Sequence, residues 1–217
     1  MAETDTDTDT TGPTERRFEI VATVLLGLAA LATAWSGYQA SLWDGIQSSD
    51  YTQASGLRTR ASLAHTEANQ VRLADLSIFE NYVDALIDGD AEVAAFYRDR
   101  FRPEFEVAFD AWEAEDPLNN PDVPASPLGM DEYRLAQDDE YEDLTRQANA
   151  TFERGEQANN YSDAYTATTL FFAASLFFAA ISERFDYHRA RIALLGMATI
   201  GLVLGFVVAV TQPITSG

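Results

Sequence analysis

Three long stretches of this chain carry almost no charge, and they decide what it can fold into. They read "FEIVATVLLGLAALATAWSGY" (Phe18–Tyr38), "YTATTLFFAASLFFAAIS" (Tyr165–Ser182) and "IALLGMATIGLVLGFVVAVT" (Ile192–Thr211). At about 18–21 residues each, a helix made from any of them covers roughly 30 Å of hydrocarbon. The competing reading, buried helices of a soluble protein, has to accommodate three such runs in one chain. The expected fold is therefore an all-α integral membrane protein. It has three transmembrane helices and a long antiparallel helical hairpin outside the membrane between spans 1 and 2.

Arginine placement orients the spans. Arg16 and Arg17 precede the first, and Arg184, Arg189 and Arg191 fill the short link between the second and third. The opposite flanks hold only Arg154. Positive charge stays on the cytoplasmic side, so the N-terminus and the link are expected in the cytoplasm of a plasma-membrane protein. The expected organisation is a disordered acidic tail at 1–17, spans at 18–41, 165–183 and 192–211, an extracytoplasmic segment at 42–164, a cytoplasmic link at 184–191 and an outer tail at 212–217. A cleaved signal peptide is the rival for span 1, with "ATA" at Ala32–Ala34 as its cleavage site. The acidic leader and the long apolar run argue against it.

Composition narrows the chemistry. The 217 residues include 35 acidic and 14 basic ones, all arginine, for a net charge of −21. Such an excess disfavours nucleic acid and anionic surfaces as partners, and with no lysine it reads as adaptation to high salt. There is no cysteine and there are two histidines, His65 and His188, so neither a thiolate site nor a histidine pair is expected to hold a metal. The acidic run "DDEYED" and the group Asp116, Asn119, Asn120 and Asp122 lack the calcium-loop spacing and read as solvated faces. No cofactor is expected.

The segment between spans 1 and 2 carries two heptad seams. Positions 54, 57, 61, 64, 68, 71, 75, 78 and 82 read Ala, Leu, Ala, Ala, Ala, Val, Asp, Ile and Tyr; Asp75 interrupts them. Positions 141, 144, 148, 151, 155, 158, 162 and 165 read Tyr, Leu, Ala, Thr, Gly, Ala, Ser and Tyr. Small residues on both seams let two antiparallel helices approach closely, and Gly155 suggests a backbone lying against it. The first arm is expected to run unbroken from span 1 to about Leu86, ending at "DGD", and the second to start near Asp131. A globular bundle bent at Gly45, Gly56 or Gly155 is the alternative to this stalk.

At the turn lie tip helices over about 91–115 and a proline-rich loop at 117–130. Pro103 suits the first turn of a helix and divides Ala91–Phe101 from a helix over Pro103–Glu115. Phe105, Phe109 and Trp112 share one face of the latter; Tyr97 and Phe101 share one on the former. Two readings stand for Tyr97, Arg98, Arg102, Phe105 and Trp112: packing with local ion pairs to Asp99, Glu104 and Glu106, or an interaction site at which Arg98 and Arg102, on one helix face, receive an anion.

The stretches "ATAWSGYQASLW", "FYRDRFRPEFEVAFDAW" and "DPLNNPDVPASPLGMDEYRLA" together resemble an uncharacterised family of prokaryotic three-pass membrane proteins, a domain of unknown function. The resemblance runs from about Glu19 to the third span. It implies one span, a helical outer segment and two closing spans, and it implies no activity and no site.

Within the spans, Ala29, Thr33 and Gly37 form one small face, and Gly201 and Gly205 another as GxxxG, suited to close packing within the chain or between copies. No ionisable residue lies between the span ends, which disfavours an ion-coupled transporter. The leading expectation is a non-enzymatic, membrane-anchored interaction or assembly protein, its partners the lipid bilayer and either another protein or further copies of itself. The alternatives are an extracytoplasmic ligand sensor or accessory subunit, and an oligomeric channel or transporter component.

Overall fold

The computed structural model describes residues 13–117, 119–185 and 187–216. These form five α-helices and no strand: α1 (Pro13–Ile87), α2 (Ala91–Arg98), α3 (Pro103–Ala114), α4 (Ala136–Ser182) and α5 (His188–Thr211). Helices α1, α4 and α5 each contain a stretch long and apolar enough to cross a membrane. The chain divides into two units. One, the apolar unit, comprises α1 up to Tyr51, α4 from Glu153, and α5; the other, the polar unit, is Thr52–Phe152.

In the apolar unit, small residues set the spacing. Ala22, Leu25, Ala179, Leu195 and Ala198 form its buried cluster, flanked by Phe18, Leu26, Phe178 and Leu202. The α1 residues Gln47, Trp43 and Ala40 meet Asn159, Tyr161 and Ser162 of α4, so the two helices run in opposite directions here. The nearest atoms to a Cβ at Gly155 belong to side chains of α1, the Tyr51 ring at 2.6 Å and the Asp50 Cβ at 3.4 Å, so the glycine makes room for a tyrosine side chain. At one end, Phe18 meets His188 edge-on at 4.9 Å, which brings the starts of α1 and α5 together. At the other, the segment after α5 is clasped by side chains. Gln39, fully buried, donates to the Thr215 carbonyl and accepts from its N–H, both at 3.1 Å. Trp43 Nε1–H and Tyr165 Oη–H donate to the Pro213 carbonyl at 3.2 and 3.3 Å.

In the polar unit, α1 and α4 again run oppositely: Arg58 stacks on Phe152, His65 meets Tyr141, and Arg72 pairs with Asp138. Both seams face inward, with Ala54, Ala61, Ala64, Ala68, Leu144, Ala148 and Thr151 buried. Tyr141 departs from this pattern and is exposed against His65.

Helix α1 ends as "DGD" suggests. Gly89 adopts φ of 78°, the left-handed conformation only glycine takes freely. The N–H groups of Gly89 and Asp90 return to the carbonyls of Leu86 and Ala85, capping the open carbonyls of the last turn. The Asp90 carboxylate then accepts the Val93 N–H at 3.1 Å and starts α2.

Several boundaries differ from the sequence expectation. Residues 13–17, expected in a disordered tail, belong to α1, whereas 1–12 lie outside the described residues. Helix α2 stops at Arg98, not Phe101, because Pro103 forces Arg102 into an extended conformation and the chain needs residues 99–101 to turn. Helix α4 starts at Ala136, not Asp131, because Tyr133 is drawn inward by Asp75. The last part of the 184–191 link, from His188, is already helix.

Candidate functional site

The tip is built on four buried phenylalanines, Phe79, Phe101, Phe105 and Phe109, supported by Ile78, Tyr82, Val83, Trp112, Leu128 and Tyr133. Phe79 comes from α1 and Phe105 and Phe109 from α3, and the rings meet mostly edge-to-face, the arrangement their charge distribution favours. Fully burying a phenylalanine contributes about 2–3 kcal/mol, and this cluster holds two short helices that would not persist alone.

Of the residues singled out in the sequence, Phe105 lies at the centre of this core, 0% exposed. Trp112 is half-buried and donates its Nε1–H to the Pro124 carbonyl at 2.7 Å, tying the proline-rich loop to α3. Within that loop Pro127–Gly129 form a 3₁₀ turn with Pro127 buried. Tyr97 lies apart from the core, edge-on to the exposed Phe96.

The arginines do not share a face. Arg98, at the end of α2, lies 4.3 Å over the Phe109 ring, hydrogen-bonds Asp110, and has Glu106 at 3.7 Å. Arg100 folds back over Phe96 and donates to its carbonyl at 2.8 Å. Arg102 points elsewhere, to Glu104 at 2.9 Å and to Asp75 at 3.1 Å. With α2 ended at Arg98, the helical spacing of Arg98 and Arg102 no longer operates. Both guanidiniums already pair with carboxylates, although Arg98 Nη1, 3.7 Å from Glu106, makes no hydrogen bond.

Sequence reasoning misses Asp75. It reads as an interruption of the seam, yet it is 2% exposed and anchors the tip: Arg102 and the Tyr133 hydroxyl, at 2.7 Å, both donate to its Oδ2. Burial, the hydrogen bond to Asp75 and that residue's charge together push the Tyr133 hydroxyl well above the ordinary tyrosine range, against the opposing pull of Arg102 and Arg72. The only local signal for this arrangement is the aspartate itself, since its partners are 27 and 58 residues away.

Beside the core opens a groove of about 490 Å³. Tyr82, Leu86, Ile87, Phe109 and Trp112 line it together with the acidic Glu113 and Asp116. Ile87 is 77% exposed, a large apolar side chain with nothing over it. Asp116 holds φ of 52°, uncommon for a residue with a side chain, and its carboxylate accepts from Asn119 Nδ2. Burial first, then the Glu113 charge, raises the Tyr82 hydroxyl above its ordinary range, with Arg98 opposing. Among the described residues, no group of three or more His, Asp or Glu side chains is placed to hold a metal ion.

The small-residue faces of the apolar unit fall out differently from each other. Gly201 and Gly205 lie against α4: a Cβ on Gly201 would come 3.1 Å from the Phe171 carbonyl, and one on Gly205 2.5 Å from the Phe172 ring. Ala29 is buried, and Thr33 returns its hydroxyl to the Ala29 carbonyl at 2.7 Å. Gly37 is exposed with open space where a Cβ would be; the packing face of α1 runs through Ser36 and Gln39 instead. No family model, curated protein or solved structure matches this chain.

Proposed function

We propose that the chain is an integral plasma-membrane protein with three transmembrane helices and an extracytoplasmic helical hairpin. In this reading it acts without catalysis, as an interaction or assembly module that docks a protein partner at the tip groove. Two observations support the membrane topology. Arg191 lies over Phe18, at the end where α1 and α5 begin, so both arginine clusters gather at one end of the apolar unit. Trp35, Tyr38 and Trp43 lie further along α1, and Tyr161 and Tyr165 lie on the part of α4 that meets them, as an interfacial belt requires. The resemblance to a three-pass family agrees with the same layout.

One observation carries the docking reading: an unfilled groove of about 490 Å³ whose apolar wall includes Ile87 and whose lining includes the acidic Glu113 and Asp116. It fits a partner segment that presents an apolar anchor beside a basic residue. A tip built to receive an anion is disfavoured, because Arg98 and Arg102 are engaged by Asp110, Glu106, Glu104 and Asp75.

Both halves are testable in a chain with no native cysteine. In intact cells, Ile87→Cys should react with a membrane-impermeant maleimide and Arg189→Cys should not; the reverse pattern would overturn the topology. A photocrosslinker at position 87 should capture a discrete partner whose yield falls at least severalfold in Glu113→Arg. Equal capture from a crosslinker at Leu73, exposed on the same helix, would sink the docking site.

A further inference from the structure

Two tripeptides in α4 have the form Asn-X-Ser/Thr: Asn149-Ala150-Thr151 and Asn160-Tyr161-Ser162. On chain exported from the cytoplasm, that pattern is the acceptor for an N-linked glycan. A tripeptide is a short signal, so the structure around it has to discriminate.

The asparagine side chains do so. The chain has seven asparagines. Five engage their carboxamides within the fold, as Asn81 does with the Ser77 carbonyl and Asn159 with Gln47 and Asp163. Among the described residues, Asn149 and Asn160 are the two that make no side-chain hydrogen bond, and both are exposed. The two uncommitted carboxamides are the two in the motif.

Folded α4 turns the halves of each motif apart. Residues two apart on a helix point roughly 200° from each other, so Thr151 and Ser162 are buried while Asn149 and Asn160 face out. An enzyme that grips both the amide and the hydroxyl therefore reads the extended chain, before α4 forms. The folded helix then accommodates a sugar at Asn149, because that side chain is exposed and unbonded.

Nearness to the apolar run separates the two motifs. Only Asp163 and Ala164 lie between Ser162 and Tyr165, where that run begins, whereas residues 152–164, thirteen of them, lie between Thr151 and the same point. Fully extended, two residues reach about 7 Å and thirteen about 45 Å. The headgroup layer is itself roughly 5–7 Å deep, so the Asn160 motif stays against the bilayer while the Asn149 motif clears it.

We infer that Asn149 is a site of N-glycosylation and that Asn160 is not. The inference rests on the membrane topology proposed above, which puts this part of α4 outside. The donor is an oligosaccharide activated on a lipid phosphate. Asn149 Nδ2 bonds to the anomeric carbon of the sugar as the bond from that carbon to a phosphate oxygen breaks. The lipid phosphate leaves with that electron pair, the amide gives up one proton to solvent, and nothing is oxidised or reduced.

The test is peptide-level mass analysis of the full chain purified from the membranes of its native cells. A discrete added mass should map to Asn149 and none to Asn160. Asn149→Gln, at an exposed position that the fold does not use, should remove the added mass, and Asn160→Gln should not. Thr151→Ser should retain it and Thr151→Ala should lose it, since the hydroxyl is part of what the transferase reads. A bare Asn149 overturns the inference, as does an added mass that survives Asn149→Gln or a glycan on Asn160. Labelling of Ile87→Cys from outside the cell separates the causes. A bare but labelled chain refutes this inference alone, whereas a bare and unlabelled one refutes the topology with it.

Discussion

Two buried polar residues, one in each unit, were given opposite treatment. Asp75 lies in the polar unit, in a seam otherwise lined by alanine and larger apolar residues, and two donors converge on one of its oxygens. Ser36 lies in the apolar unit and receives nothing. The contrast separates a buried charge from a buried neutral group. A charge buried for the fold is surrounded by the partners that make it tolerable, whereas a neutral hydroxyl can stay unpaired at a smaller cost. The same contrast holds for the surfaces around them. The tip pairs Arg98 and Arg102 with its own carboxylates, leaving the buried Arg98 Nη1 without a hydrogen bond, and the apolar unit leaves an apolar groove between α1 and α5.

The largest effect should come from the aromatic core on which the Asp75 side of this contrast depends. Phe105→Ala should cost about 3–5 kcal/mol and melt α2 and α3, read as lost amide-exchange protection across residues 91–114. Next, Asp75→Ala should cost about 2–3 kcal/mol, less than for a fully buried pair because Arg102 still reaches water. Ser36→Ala should leave stability unchanged or slightly raised in detergent; a loss matching that of Asp75→Ala would erase the distinction. Within the apolar unit, Gly205→Ala should cost about 1–3 kcal/mol as the Phe172 ring is displaced, while Gly37→Ala should gain up to about 1 kcal/mol by helix propensity alone.

The smallest effect concerns alkaline pH. Folding holds the Tyr133 hydroxyl above its ordinary pKa of 10.0, so above pH 10 the unfolded chain loses this proton before the folded one does. Stability contributed by the protonated hydroxyl is complete below pH 10 and is lost as pH rises beyond it. Tyr133→Phe should flatten that part of the stability curve between pH 10 and 11, as measured by chemical denaturation. An unchanged slope would mean Tyr133 is not held by Asp75 in solution.

Much of the helical frame is legible in the sequence, because it rests on spacing within a few residues. The alanine seam of α1, the "DGD" stop, Pro103 as a helix start and the Phe105–Phe109–Trp112 face all follow from local periodicity or backbone preference. The tip's wiring does not. Asp75 finds its partners across turns whose geometry only the folded chain fixes, and so a residue that breaks the local pattern turns out to organise the distant one. The arginine face fails for a smaller reason: three residues of turn replace the last helical turn expected, and spacing loses its meaning. Gly37 fails because smallness alone does not say which face of a helix is covered.

The alanine seam has a further consequence through Asp75. Along α1 the positions 54, 61 and 68 all carry alanine, so at this half of the seam a slide of α1 by one heptad, about 10.5 Å, would bring like against like, while Leu57, Ala64, Val71 and Ile78 of the other half would differ only in apolar size. Position 75 breaks that degeneracy. Shifted by seven residues, Ala68 would face Arg102 and Tyr133, and the aspartate would be stranded against apolar neighbours. One carboxylate thus works as a key cut into an otherwise apolar rack: it favours a single register and opposes a slide that apolar contacts alone would resist only weakly.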